Sequence, residues 1–137
     1  MKKLFLFLTI SSLLSNWCEA KHLHPEKYYQ GLWCGKYNGI QEYKLKDKTR
    51  IDCVTTNYAV EFDFANKWAE CIGQALYYGV STKKKPVCLL IVEKPEDFKY
   101  FYRVKKVTEF FKFDLWYIKA PEYVYKNHKN FLIHLPQ

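Results

Sequence analysis

Glycine and proline are scarce in this sequence, with five residues of each among 137. Collagen-like and low-complexity chains need far more of both, and a content of 49% hydrophobic residues disfavours a disordered chain. After residue 20 there is also no apolar run approaching the roughly 20 residues of a membrane-spanning helix. These absences leave a folded protein, and the length of the chain predicts one domain.

The first twenty residues have the pattern of a secretory signal peptide. Lys2 and Lys3 precede an apolar run over residues 4–14, and Cys18-Glu19-Ala20 follows with small residues where a signal peptidase cuts. The apolar run is too short to span a bilayer. We therefore expect an exported protein, periplasmic or secreted, with its domain over residues 21–137 and the core of that domain over about 42–118.

Four cysteines follow the predicted signal: Cys34, Cys53, Cys71 and Cys88. An even number in an oxidising compartment predicts two disulfides. Four cysteines allow three pairings, and order along the chain favours Cys34 with Cys53 and Cys71 with Cys88 without proving it. A zinc site is disfavoured because the sequence has no close pair such as CxxC.

Changes in hydrophobic period and turn-forming residues predict an α/β fold with a mixed sheet, disulfide-stapled and flanked by helices. Strands are predicted at residues 42–45, 50–55, 57–62, 87–92 and 112–118. A helix or loop is predicted at 25–37, and helices at 64–78 and 95–107. Asp63 is the expected N-cap of the middle helix, Gly79 its stop, and residues 81–86 a basic loop. The order of elements is a meander followed by a strand-helix-strand crossover, and residues 120–137 remain unassigned.

Polar side chains are predicted to meet where the meander joins the middle helix. Lys67, Glu70, Gln74 and Tyr78 form one stripe at 100° per residue, which is most often a solvated face. The strands before that helix favour a functional role for this stripe. Side chains alternate along a strand, so a hairpin of the second and third strands can place Asp52 beside Glu61.

Carboxylates placed together on a half-buried surface repel each other unless a cation neutralises them. Their hard oxygen atoms suit Mg²⁺ or Mn²⁺. An ammonium group nearby, such as that of Lys67, could steady a nucleophilic hydroxide or offset charge in a transition state. The pattern therefore predicts a divalent metal site.

Three segments, residues 50–53, 58–63 and 67–78, together resemble the core of the PD-(D/E)XK nuclease superfamily. In that superfamily an Asp ends one strand, an acidic residue and a Lys lie on the next strand, and a helix follows. The spacing of Gln74 and Tyr78 is similar to the QxxxY motif of the RecB-type branch. The resemblance covers residues 42–92 and implies a restriction-endonuclease-like fold, in which a mixed sheet is flanked by helices.

The resemblance implies metal-dependent hydrolysis of nucleic-acid phosphodiester bonds. Asp52 and Glu61 would hold Mg²⁺ (or Mn²⁺), with Glu42 supporting it. Lys67 would orient the attacking water or offset charge, and Gln74 would position Lys67 or the phosphate. The candidate substrate-binding residues are Arg50, Tyr78, Lys83, Lys84 and Lys85. Arg50 has a structural alternative, which is an ion pair with Glu61.

One position departs from the superfamily pattern. The superfamily places Lys two residues after the second acid, and this chain has Asp63 there. Lys67 is the candidate for a Lys that has moved to the helix; the alternative is a catalytically inactive binding or interaction module that keeps the nuclease fold. A formal net charge of +8 favours a polyanionic partner under either interpretation. We expect that partner to be nucleic acid, with DNA favoured over RNA.

Overall fold

The structure, a computed structural model, describes residues 21–121. The predicted signal peptide and residues 122–137 lie outside this range. The helices are α1 (Glu26–Lys36), α2 (Trp68–Thr82) and α3 (Phe98–Thr108). The strands are β1 (Ile40–Lys44), β2 (Arg50–Val54), β3 (Tyr58–Phe64), β4 (Lys85–Val92) and β5 (Asp114–Lys119).

The five strands form one mixed sheet in the order β1-β2-β3-β4-β5. β1, β2 and β3 are antiparallel neighbours, whereas β3, β4 and β5 run parallel. Helix α2 connects β3 to β4 and helix α3 connects β4 to β5, as parallel strands require a crossover. The predicted α/β architecture, a meander followed by a strand-helix-strand crossover, is confirmed.

Alternation along β3 and β4 divides the apolar residues between the two faces of the sheet. Val60 and Phe62 pack with Trp33 of α1 on one face. Leu90 packs on the other face with Ala75 of α2. β4 is buried from Val87 to Val92 because helices cover both of its faces.

Two disulfides, one on each face, fasten helices to the sheet. Cys34–Cys53 joins α1 to β2, and Cys71–Cys88 joins α2 to β4. This is the pairing that chain order favours, and the predicted disulfide-stapled fold is confirmed. Among residues 21–121, none of the helices is both long enough and apolar enough to cross a bilayer.

The boundaries of the middle helix differ from the prediction. Asp63 is a buried residue of β3 and does not cap a helix. A short 3-10 turn over Ala65–Lys67 follows β3, and α2 begins at Trp68. The helix passes through Gly79 to Thr82, and it ends where Lys83 adopts a left-handed conformation with φ of 57°.

The predicted basic loop is correspondingly shorter. Ser81 and Thr82 belong to α2, and Lys85 already belongs to β4. Gly79 serves close packing and not helix termination: a Cβ atom there would lie 2.7 Å from the Cβ of Pro86 in β4. The helix therefore continues until its last turn has passed the edge of the sheet.

Candidate functional site

The site is built where β2 and β3 separate. Their antiparallel ladder pairs Cys53 with Val60 and Val54 with Ala59. One step further along the same register, Asp52 comes opposite Glu61. The Asp52 carboxylate there accepts a hydrogen bond of 2.8 Å from the backbone N–H of Phe62. A side chain thus binds a backbone group of the neighbouring strand at the point where the β2–β3 backbone pairing ends.

Glu61 and Asp63 are the buried carboxyl groups of this site, with 5% and 4% of their surface exposed. They lie on the α2 side of β3, opposite to Val60 and Phe62, as strand alternation predicts. The Oε2 atom of Glu61 is buried and has no hydrogen-bond partner among the described residues. A buried carboxylate oxygen without a donor is unfavourable, and the neighbouring side chain of Asp52, which hydrogen-bonds with Glu61, can share a proton with it.

Helix α1 adds a third element and a residue that the sequence analysis missed. Glu26, in the first turn of α1, accepts a hydrogen bond of 3.0 Å from Gln30 Nε2. Its negative charge raises the pKa of Asp52, Glu61 and Asp63. We call Glu26, Asp52, Glu61 and Asp63 the carboxylate cluster.

The sequence alone does not single out Glu26, because the burial of its partner Gln30 is visible only once α1 has packed. Gln30 lies four residues after Glu26, on the same side of the helix, and it directly follows the buried Tyr29. Glutamine and glutamate are mostly exposed in proteins. A buried glutamine that is hydrogen-bonded to a half-buried glutamate is therefore unusual on a helix face that packs against a core.

Burial and mutual repulsion raise the pKa of every member of the carboxylate cluster. Burial is the largest cause in each case. It raises the pKa of Asp63 to about 7, helped by the negative charge of Glu26. The pKa of Glu61 is raised most strongly, because the charges of Asp52 and Asp63 add to its burial. Glu61 therefore retains its proton at neutral pH unless a cation compensates the cluster.

Lys67 lies at the edge of the carboxylate cluster. Its side chain is exposed in the 3-10 turn before α2. Its positive charge lowers the pKa of Glu26 and of Asp63, so the ammonium group lies on the Asp63 side of the cluster. The sequence analysis had placed it beside Asp52 and Glu61.

Glu42 and Arg50 lie on the β1–β2 ribbon. Glu42 faces Asp52 in the register of the ribbon, and its charge raises the pKa of Asp52. It also accepts a contact of 3.4 Å from Arg50 Nη1. Arg50 is thus paired with Glu42, and its predicted alternative partner Glu61 is not the one it contacts. Glu42 belongs to the rim of the site.

Helix α2 contributes the Gln74 and Tyr78 pair. The phenol of Tyr78 donates a long hydrogen bond of 3.5 Å to Gln74 Oε1. Burial, together with the negative charges of Glu61 and Asp52, raises the pKa of Tyr78 to about 12. The stripe predicted on α2 therefore runs from the exposed Lys67 to the buried Tyr78, and its buried end faces the carboxylate cluster.

The lysine triplet, Lys83, Lys84 and Lys85, is distant from Lys67 and does not form one patch with it. It follows the C-terminus of α2, whose 15 residues span about 22 Å at about 1.5 Å per residue. Lys83 caps the helix, and Lys84 Nζ donates a hydrogen bond of 2.7 Å to the carbonyl oxygen of Thr56. Lys85 Nζ lies 5.9 Å from the ring centroid of Tyr58.

Four carboxyl groups with raised pKa values and one orphaned oxygen fit a hard divalent cation. Within residues 21–121, however, no three His, Cys, Asp or Glu side chains are already arranged to hold a metal ion. The carboxylate oxygens are suitable ligands for such an ion, but the side chains would have to move closer together to complete a coordination shell. Comparison of the chain with known protein families, with curated proteins and with solved structures finds no match.

Proposed function

We propose that this protein is an exported, metal-dependent phosphodiesterase that cleaves nucleic acid. The observation that carries the proposal is the pair of adjoining acidic side chains, Asp52 and the buried Glu61, which hydrogen-bond with each other and raise each other's cost of ionisation. Acidic side chains that raise one another's pKa values are costly to the fold unless they serve a ligand. The resemblance of residues 42–92 to the PD-(D/E)XK nucleases supports the same conclusion.

Asp52 and Glu61 are the residues proposed to hold Mg²⁺ or Mn²⁺, with Glu26 and Glu42 beside them. Mg²⁺ or Mn²⁺ at this place would supply a Lewis acid for the phosphate and lower the pKa of a bound water. Asp52 keeps its orientation through the hydrogen bond from the Phe62 N–H, and its side chain also hydrogen-bonds with that of Glu61. Gln74 carries the hydrogen bond from Tyr78 and is positioned to orient water or a phosphate oxygen.

Lys67 is proposed to act where the superfamily uses the Lys that this chain replaces with Asp63. Its ammonium group is exposed and its charge acts on Asp63, so it is accessible to a phosphate that approaches the site. A positive charge there would stabilise the negative charge that develops on the phosphate. Asp63 would hold the lysine side chain towards the site.

Cleavage assays test this proposal directly. The oxidised protein is incubated with plasmid DNA, circular single-stranded DNA and RNA, in Mn²⁺, in Mg²⁺ and with a chelator. We expect metal-dependent cleavage that is reduced by about 10³-fold or more in Glu61→Gln, since such a substitution removes a ligand to the catalytic ion. Glu109→Gln, an exposed substitution at the end of α3, should cleave like the wild type.

A binding measurement separates activity from metal binding. Mn²⁺ should raise the melting temperature of the wild type and of Glu109→Gln, and it should raise that of Glu61→Gln much less. Absence of cleavage from the wild type, together with an unchanged melting temperature in Mn²⁺, would contradict the proposal.

The second candidate is an inactive module that binds nucleic acid on the same scaffold. Asp63 at the usual lysine position favours it. Under this alternative the wild type binds oligonucleotides and cleaves none of them with any divalent ion.

A further inference from the structure

A groove separate from the carboxylate cluster lies between the edge strand β1 and the C-terminal half of α2. It encloses about 890 Å³, which is within the usual size of ligand pockets. Residues of β1, of the two turns that flank β2, and of α2 line it. We call it the basic groove and describe it by Tyr43, Lys44, Lys46, Asp47, Tyr77 and Lys84.

The charge of the basic groove is positive. Three lysines and one aspartate line it, which gives an excess of two positive charges. Asp47 is occupied within the protein, because it accepts hydrogen bonds from the Tyr77 hydroxyl and from Thr49. Lys84 is held in place by its hydrogen bond to Thr56, whereas Lys44 and Lys46 are exposed. The groove is therefore complementary to a chain of phosphates.

Two tyrosines give the groove exposed aromatic surface. Tyr43 is 40% exposed and Tyr77 is 46% exposed. Tyr43 lines the groove together with Ile40, three residues earlier, although a regular strand would place the two on opposite faces. Between them Glu42 has a positive φ of 52°, an irregularity that accounts for the change of face. The deformation of β1 thus brings an aromatic ring to the groove.

The basic groove adjoins the carboxylate cluster through consecutive residues of α2. The ring centroids of Tyr77 and Tyr78 are 5.6 Å apart. Tyr78 packs with Val54, which lines the groove, and on the same helix it donates a hydrogen bond to Gln74. A ligand extending along the groove would reach the cluster past Tyr78.

We propose that the basic groove binds a single-stranded polynucleotide and directs it to the carboxylate cluster. This inference rests on the proposed function and names its substrate class. Lysines would contact the phosphates, and the tyrosine rings would stack on bases. A duplex is disfavoured because its bases are already stacked on one another and offer no free face to Tyr43 or Tyr77.

Binding is measured with Glu61→Gln protein so that cleavage does not interfere. The probes are fluorescein-labelled dT12, U12 and a 12-base-pair duplex, followed by anisotropy at 50 and 200 mM NaCl with a chelator present. We expect at least one single strand to bind about tenfold more tightly than the duplex, and a steep loss of affinity with salt. Comparison of dT12 with U12 tests whether the groove prefers the DNA strand or the RNA strand.

Matched charge variants locate the site. Lys44→Gln/Lys46→Gln should weaken single-strand binding about tenfold and reduce the salt slope by about 1.4, since binding with two fewer phosphate contacts releases fewer counterions, about 0.7 per contact. Lys105→Gln/Lys106→Gln removes the same charge from α3, at the opposite edge of the sheet, and should change affinity less than twofold. Tyr43→Leu/Tyr77→Leu should weaken binding about tenfold and leave the salt slope unchanged. Circular dichroism checks that each variant is folded.

Equal losses in the two lysine pairs, or tighter binding of the duplex, would overturn the inference. These results are independent of the proposed function. If the wild type cleaves and the groove variants bind normally, the inference about the groove is refuted and the proposed function is not. If binding depends on the groove but the wild type never cleaves, the proposed enzymatic function is refuted and the inference about the groove is not.

Discussion

Burial is the main cause of the raised pKa of Glu61, and side chains from several elements add to it. Asp63 on its own strand, Asp52 on β2, Glu26 on α1 and Tyr78 on α2 surround it, and Lys67 acts on the Asp63 side. A carboxyl group whose pKa is higher in the folded than in the unfolded protein binds protons more tightly when folded. It therefore favours folding at low pH and opposes it as the pH rises through the folded pKa.

This sign predicts that the metal-free protein loses stability from pH 5 to pH 8.5, across the pKa of about 7 of Asp63. Glu61→Gln removes the strongest of these groups, so its free energy of unfolding at pH 8.5 should exceed that of the wild type by on the order of 1–3 kcal/mol. Urea denaturation in chelator at both pH values measures the effect. Glu109→Gln should follow the wild type, and a Glu61→Gln protein that is less stable at pH 8.5 would contradict the argument.

Strand alternation made part of the carboxylate cluster predictable. Asp52 and Glu61 were found from side-chain parity and an assumed hairpin, both of which depend on local sequence. Glu26 was missed because its approach to Asp52 depends on how α1 packs, and nothing within a short window of sequence reports that. Asp63 was misinterpreted because an acidic residue before a helix usually caps it. Here Asp63 belongs to β3, because the strand continues past the position where a helix cap would lie.

At the scale of elements, α2 shows two uses of glycine. Gly73 has open space where a Cβ would be placed, whereas a Cβ on Gly79 would collide with Pro86 of β4. The sequence pattern alone suggested that Gly79 ends the helix, since glycine is common at that position. Close packing against a strand and helix termination both favour glycine, so the sequence does not distinguish them. The predicted end of the helix was wrong for this reason.

Alanine substitutions distinguish these uses. Gly73→Ala should stabilise the protein by about 0.5–1 kcal/mol, because alanine loses less entropy than glycine in a helix. Gly79→Ala should destabilise it by about 1–3 kcal/mol, because the new methyl group must displace Pro86 or α2. Urea denaturation of the pair measures both values. Equal effects at the two positions would show that Gly79 does not pack closely on β4.

At the scale of the whole molecule, the two disulfides fasten different parts of the site. Cys34–Cys53 joins the helix that carries Glu26 to the strand that carries Asp52. Cys71–Cys88 joins α2 to β4 on the other face. Their sequence separations are 19 and 17 residues, so the two should contribute similarly to stability, about 3 kcal/mol each.

Serine replacements should therefore have equal effects on stability and unequal effects on the site. Cys34→Ser/Cys53→Ser and Cys71→Ser/Cys88→Ser should each lower the free energy of unfolding by about 3 kcal/mol. At a temperature where both remain folded, the first pair should weaken Mn²⁺ binding about tenfold, because α1 is no longer fastened to β2. Calorimetric titration measures this affinity, and equal Mn²⁺ affinities in the two variants would refute the distinction.

The bond between Cys34 and Cys53 also has a consequence for where the protein can work. Cys53 directly follows Asp52 in β2, and Cys34 belongs to the helix that carries Glu26. The disulfide therefore holds the elements of these two acidic residues together against the repulsion of their charges. In a glutathione-rich cytosol these thiols would stay reduced, and newly made chains would lack the constraint that assembles the acidic centre. The proposed cleavage activity would then require that the chain first reach oxidising surroundings.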